Sequence, residues 1–254
     1  MPEISYPLAF AAAKTWFKLG GITVDMQGTE HIPERGGAVV AFNHSSHLDF
    51  IFAGYPGEKR KRYTRFMAKR EVFDHPVGGP VMRSFKHLSV DRASGAESLL
   101  VAAEACRRGE IVGIYPEATI SRSFLVKDLK SGAARIAEQA QVPLVPVAMF
   151  GVHRIQTKGH PRDFSRGKTV VIRVGAPVPL AGDPVADTAE LRRRMEALLE
   201  ECIAAYPGKE PGAWWLPATH GGSAPTLEEA EALDAEEKRR RAERKAEKRA
   251  AKKA

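Results

Sequence analysis

The chain predicts an α/β fold: a mixed, largely parallel sheet flanked by helices, with an amphipathic helix at the N-terminus and a charged helical tail at the C-terminus. Short apolar runs alternate with helical segments of ten or more residues, and a connection of that length can return the next strand parallel to the last. The 254 residues are 43% hydrophobic and 28% charged, enough to bury one sizeable core. Positive charge is gathered at one end. The stretch KRRRAERKAEKRAAKKA, from Lys238 to Ala254, holds ten Lys or Arg against Glu243 and Glu247, a net of +8 that equals the formal charge of the whole chain.

Residues 7–19, PLAFAAAKTWFKL, begin with a Pro suited to a first helical turn and place Leu8, Ala12, Trp16 and Leu19 near one stripe. That pattern suits a helix lying on a membrane and equally one packed on the core. Strand-like runs follow in ITVDM, AVVAF, FMA, HLSV, IVGIY, PLVPVAMF and TVVIRVG. Between them lie helical patterns around HLDFIFAGY, through GAESLLVAAEACRR as far as Gly109, and through SGAARIAEQA; residues 188–204 form one more. The expected units are an N-terminal membrane-facing helix (1–21), a catalytic-size domain (22–205), a Pro/Gly-rich linker (206–226) and a charged helical or disordered tail (227–254). The tail turns from acidic (LEEAEALDAEE) to basic, an order that complements the helix dipole. It reads as a solvated helix or as a tether to an anionic membrane surface.

No apolar run nears the roughly 18 residues that cross a bilayer, and the N-terminus lacks the charged and apolar regions of a secretory signal. A cytoplasmic location is expected. Cys106 and Cys202 stand alone in helix-like segments, without metal-ligand or disulfide spacing, and are read as reduced packing residues. A second basic cluster, KRKRYTRFMAKR from Lys59 to Arg70, is expected to face a ligand or surface.

The chemistry concentrates where AVVAF ends, in NHSSHLDF (Asn43–Phe50). Ser46 with Asp49 three residues on has the spacing of a capping box. His44, His47 and Asp49 are also the residue types of a zinc loop, but Phe50 stands where a further His is wanted, and no second ligand cluster follows. A third reading is a dyad in which Asp49, in the first turn of the next helix, holds one nitrogen of His44 and leaves the other to accept a proton from an alcohol.

NHSSHLDF resembles the Asn-His, any four residues, Asp block of the glycerolipid acyltransferase family, whose best-known members are the 1-acyl-sn-glycerol-3-phosphate (lysophosphatidate) acyltransferases. FKHLSVDR (Phe85–Arg92), YPEATISRS (Tyr115–Ser123) and VPLVPVAMFG (Val142–Gly151) are similar to the family's other three blocks, in its order, so that the likeness spans residues 22 to about 180. The resemblance implies His44 as general base and Asp49 as its orienter. It implies Arg92 as a donor to the acceptor's phosphate, Glu117 near the glycerol or organising the arginines, and Thr119, Ser121 and Arg122 lining the same pocket. Where the family has Gly-Thr-Arg, this chain has Ala118, Thr119 and Ile120, so one phosphate-binding Arg is missing. Arg122, Lys69 or Arg70 is the expected substitute, and Ala118 disfavours the positive φ that Gly would take freely.

The implied reaction moves a fatty acyl chain from acyl-CoA or acyl-carrier protein to a lysophospholipid hydroxyl. It needs no metal or redox cofactor, and it takes place peripherally on the cytoplasmic face of the membrane, with an anionic membrane surface as partner. Glycerol 3-phosphate or a glycolipid is the alternative acceptor. A metallohydrolase and a non-enzymatic binder of anionic lipid or nucleic acid are the rivals from other classes. The basic clusters lack interleaved aromatic residues beyond Tyr63 and Phe66, so nucleic acid is not expected as a partner.

Overall fold

The computed structural model describes residues 3–91 and 95–251. Among them, strands β1 (Thr23–Gln27), β2 (Ala38–Phe42), β3 (Thr64–Lys69), β4 (Leu88–Val90), β5 (Ile111–Ile114), β6 (Leu144–Phe150) and β7 (Thr169–Val174) form one sheet. Their order is β1-β7-β6-β2-β5-β3-β4. Each neighbouring pair is parallel except β6 with β7. The helices are α1 (Ser5–Gly20), α2 (Asp49–Ala53), α3 (Tyr55–Lys59), α4 (Arg70–Asp74), α5 (Gly78–Ser84), α6 (Gly95–Arg107), α7 (Gly132–Ala140), α8 (Pro184–Ala205) and α9 (Leu227–Ala251). The mixed, mostly parallel α/β sheet with a helix at its N-terminus is the class that the alternation of apolar runs indicated.

β2 lies at the centre, paired with β5 on one side and β6 on the other. All five of its residues are buried, as a strand covered on both faces requires. Val39 and Ala41 join the core built with α6, α7 and α8, whereas Ala38, Val40 and Phe42 join the one built with α1 and α2. Gly113 of β5 marks a close approach: a Cβ there would stand 2.6 Å from Thr64 Cγ2 and 2.7 Å from the Phe66 ring. The missing side chain lets Phe66 lie near Tyr115, with ring centroids 6.0 Å apart, at the end of β5.

The stripe expected on α1 divides: Leu8 and Leu19 are 64% and 68% exposed, Trp16 packs beside Phe52, and the face that packs inward is Tyr6, Phe10 and Phe17. Aromatic packing decided this: Phe17 stacks on Phe52 at 4.8 Å and Tyr6 on Tyr63 at 4.6 Å. Leu8 and Leu19 remain outside. The expectation that the 59–70 cluster faces a ligand or surface is corrected in part: Lys59, Lys61, Lys69 and Arg70 are exposed, whereas its other three cations are consumed within the domain. Arg65 is buried against Glu3 and Glu110, Arg62 donates to the carbonyls of Pro33, Gly36 and Gly109, and Arg60 pairs with Glu34. Finally, the Pro/Gly-rich segment 206–226 sends Tyr206, Trp215, Leu216 and Ala224 into the core beside α8. Its two buried aromatics outweigh its turn-forming composition.

Burial settles the behaviour of the cysteines. Both are free and enclosed, and desolvation pushes each thiol up to about 12. Phe17→Ala is expected to cost about 3–5 kcal/mol of stability, because it empties a filled aromatic site. Leu19→Ala should stay within about 0.5 kcal/mol. Urea denaturation of the two variants tests which face of α1 is the packed one.

Candidate active site

β2 leaves the sheet at Asn43. Its side chain imitates one more ladder step, donating from Nδ2 to Met149 O at 3.0 Å and accepting from Met149 N at 2.7 Å. The next residues therefore start from a fixed point. His44 Nδ1 lies 2.9 Å from Asp49 Oδ2. The same oxygen accepts the backbone N–H of Ser45 at 2.7 Å and of Ser46 at 2.8 Å. The capping-box expectation is corrected: α2 starts at Asp49 itself, with Leu48 as its N-cap and no side-chain cap bond, and the Asp49 carboxylate gathers two backbone N–H groups of the loop before the helix on the same atom that meets the imidazole. Ser46 Oγ instead donates to Gln156 O and accepts from Leu48 N. Asp49 is 1% exposed; burial pushes its carboxyl above the ordinary range, against the pull of His44 and the two backbone donors. A carboxylate that only accepts fixes the His44 proton on Nδ1 and leaves Nε2 as the acceptor.

The loop after β5 packs against this one. Ser121 N donates to His44 O at 2.7 Å, and Glu117 Oε1 accepts from His44 N at 2.8 Å. Glu117 Oε2 accepts from Lys127 N at 3.3 Å. With both oxygens on backbone N–H groups and only 4% exposure, Glu117 is a brace between loops rather than a carboxylate open to glycerol. Burial pushes it up to about 8. Ala118 adopts φ +61° despite its Cβ, so the backbone conformation that Gly would take is kept at a steric cost. The N–H groups of Ala118 and Ser121 are engaged with Tyr115 O and His44 O, which removes them as donors to an oxyanion in this arrangement.

His44 stacks on Tyr115, 4.4 Å between centroids, and lines a cleft of about 360 Å³ with Phe66, Val90, Ile114 and Lys130. A larger apolar cavity of about 560 Å³ lies between α1, α2 and α5 and shares Phe66 with the cleft. Arg92 lies outside the described residues. Thr119 accepts from Lys127 Nζ at 2.6 Å. The Ser121 hydroxyl is buried and bonded to Leu125 O and Ser123 Oγ, so it serves the loop rather than a pocket. Arg122 is held with Lys127 and Lys158 by Asp234 and Glu237 of α9. Lys69 and Arg70, at the junction of β3 and α4, are exposed and do not line the His44 cleft. Lys127, Lys130 and Lys158 escaped the sequence reading, since isolated lysines carry no spacing signal.

The family model for acyltransferases matches residues 23–150. The chain is also 32% identical over 184 residues to the 1-acyl-sn-glycerol-3-phosphate acyltransferase of Bacillus subtilis, covering 71% of this chain and 84% of that one. The chain belongs to the acyltransferase family. An uncharacterized acyltransferase of Schizosaccharomyces pombe is 27% identical over 215 residues, covering 78% of this acyltransferase and 74% of the relative. The chain spans about half the length of two plant relatives from Limnanthes. The crystal structure of the 1-acyl-sn-glycerophosphate acyltransferase of Thermotoga maritima shares its fold, with a TM-score of 0.62, 23% identity, and coverage of 80% of this chain and 81% of that chain.

Two variants test the loop after β5. Ala118→Gly should raise stability by about 1 kcal/mol by relieving the left-handed Ala, as read from urea denaturation. A carboxyl whose folded pKa is raised makes the folded state hold a proton that the unfolded state has lost. Glu117 should therefore lower stability as pH rises from its ordinary value near 4.5 to about 8. The expected slope is up to about 1.4 kcal/mol per pH unit, and Glu117→Gln should remove it in parallel titrations.

Proposed function

We propose that this acyltransferase moves a fatty acyl chain from the thioester of acyl-CoA or acyl-carrier protein to the hydroxyl of a lysophospholipid, 1-acyl-sn-glycerol-3-phosphate first among them, to give phosphatidate. The observation that carries the reading is the His44 imidazole, held at Nδ1 by buried Asp49 at 2.9 Å and lining an open cleft. His44 Nε2 takes the proton of the acceptor hydroxyl as its oxygen bonds to the thioester carbon. The tetrahedral oxyanion then collapses, the C–S bond breaks, and the imidazolium returns the proton to the departing thiolate. Asp49 orients the ring and stabilises its cation, and Glu117 acts as a positioning residue through the His44 backbone.

The apolar cavity next to Phe66 suits an acyl chain. Lys130 in the cleft and Arg122, Lys127 and Lys158 on the adjoining loops support an acceptor that carries phosphate, and Arg92 and Thr119 are proposed to share that task. Among the described residues no helix is long and apolar enough to cross a membrane. Peripheral attachment at the cytoplasmic face is proposed, by way of the exposed Leu8, Leu19, Phe50 and Val77 and the basic half of α9.

His44→Ala should leave circular dichroism unchanged and lower acyl transfer from palmitoyl-CoA or oleoyl-CoA to lysophosphatidate by about 10²- to 10⁴-fold. Near-normal turnover would refute the base. An acceptor panel that includes glycerol 3-phosphate and a glycolipid, with mass spectrometry of the lipids formed, decides the acceptor.

A further inference from the structure

α9 is a long helix attached by little apolar surface. Ala230 is its only fully buried residue among those described, and Leu233 is 41% exposed. Its start is fixed by a capping box, with Thr226 N donating to Glu229 Oε2 and Glu229 N to Thr226 Oγ1. What holds the helix beyond that point is charge. Asp234 meets Lys127 at 2.8 Å, Arg122 at 3.2 Å and Lys158 at 3.3 Å; Glu237 meets Arg122 at 2.9 Å and Lys158 at 3.3 Å. Burial tends to raise the Asp234 carboxyl, but the hydrogen bond and charge of Lys127, with Lys158 and Arg122, leave it below its ordinary value.

The three cations are tied to the His44 loop at three points. Arg122 follows Ser121, whose N–H is bonded to His44 O. Lys127 donates its N–H to Glu117, whose other oxygen accepts from His44 N. Lys158 follows Thr157, whose hydroxyl donates to Ser45 O at 2.7 Å. A guanidinium and two ammonium groups converging within one residue of these anchors suit a doubly charged phosphate ester. Two carboxylates from α9 now occupy them.

We propose that Arg122, Lys127 and Lys158 bind the phosphomonoester of the acceptor, and that Asp234 and Glu237 of α9 occupy this site as an internal competitor. The proposal rests on the phosphate-bearing acceptor argued above. Partly exposed ion pairs are individually weak and screened by salt, so the helix is displaceable without unfolding the core. The basic half of the same helix, from Lys238 onward, would be drawn to an anionic leaflet, and that attraction competes with the ion pairs that hold α9 over the site.

The test uses the full chain and the variant D234N/E237Q, which keeps the side-chain shapes and removes the competing charges. Calorimetric titration with inorganic phosphate should show the variant binding about tenfold tighter, the factor expected when a site is freed from a predominantly closed state. Its KM for lysophosphatidate should fall by a similar factor at unchanged kcat, and adding Lys158→Ala should cancel both gains. Phosphatidylcholine vesicles with and without lysophosphatidate separate the sources of the phosphate. Gain on the doped vesicles supports a lipid headgroup, whereas gain with inorganic phosphate alone overturns the lipid and leaves a free-anion site. Equal phosphate affinity in wild type and D234N/E237Q overturns the competition. Tighter phosphate binding in a variant without acyl transfer to lysophosphatidate supports the competition and sinks the acceptor.

Discussion

One oxygen of Asp49 sets the geometry of the site. It gathers the ring N–H of His44 and the backbone N–H groups of Ser45 and Ser46 on a single buried atom, and so closes the loop that follows the central strand. A carboxylate that far from water is costly unless its donors are in place. The surrounding structure supplies them by fixing the loop at both ends. Asn43 fastens the exit from β2 to Met149, and α2 begins at Asp49 itself. The interaction that closes this loop is also the one that holds the imidazole.

Around that centre the loop after β5 acts as a clamp. Its contacts to the His44 segment are made by a buried carboxyl and a backbone N–H, so they fix position without filling the cleft. The left-handed Ala118 shows that the path of this loop is demanded by its surroundings, since the residue present is poorly suited to it. The ring of Tyr115 then gives His44 a flat support, and Gly113 makes room for Phe66 to continue the aromatic layer toward the apolar cavity. Polar chemistry and greasy space meet at one residue, Phe66.

Charge is divided by the fold into groups with different work. Arg60, Arg62 and Arg65, which look in the sequence like part of a ligand-facing patch, satisfy carbonyls and carboxylates inside the domain. Arg122 and Lys127, on the loop after β5, and Lys158, on the loop after β6, come together because both loops pack against the segment that follows β2. Helix α9 sets Asp234 and Glu237 on that trio, with Lys238 and Arg241 lining the same cavity, so a tail that reads as a simple charge gradient becomes a contact with the loops beside His44.

By itself the sequence determined the α/β class, the strands, and the loop where His44 and Asp49 meet, because those features are written in short-range patterns: apolar runs, helix lengths, and a five-residue interval that one turn can close. The choice of buried face on α1 was not legible, since Leu8 and Leu19 are as apolar as Phe10 and Phe17 and only the shape of the aromatic core discriminates between them. Nor could residues 206–226 be read as core, because turn formers dominate their composition while Trp215 supplies the burial. The lysines beside the site were equally silent, for a cation gains meaning from what it faces. Tertiary structure decided those matters: long-range packing and the pairing of opposite charges depend on distances that the order of residues does not contain.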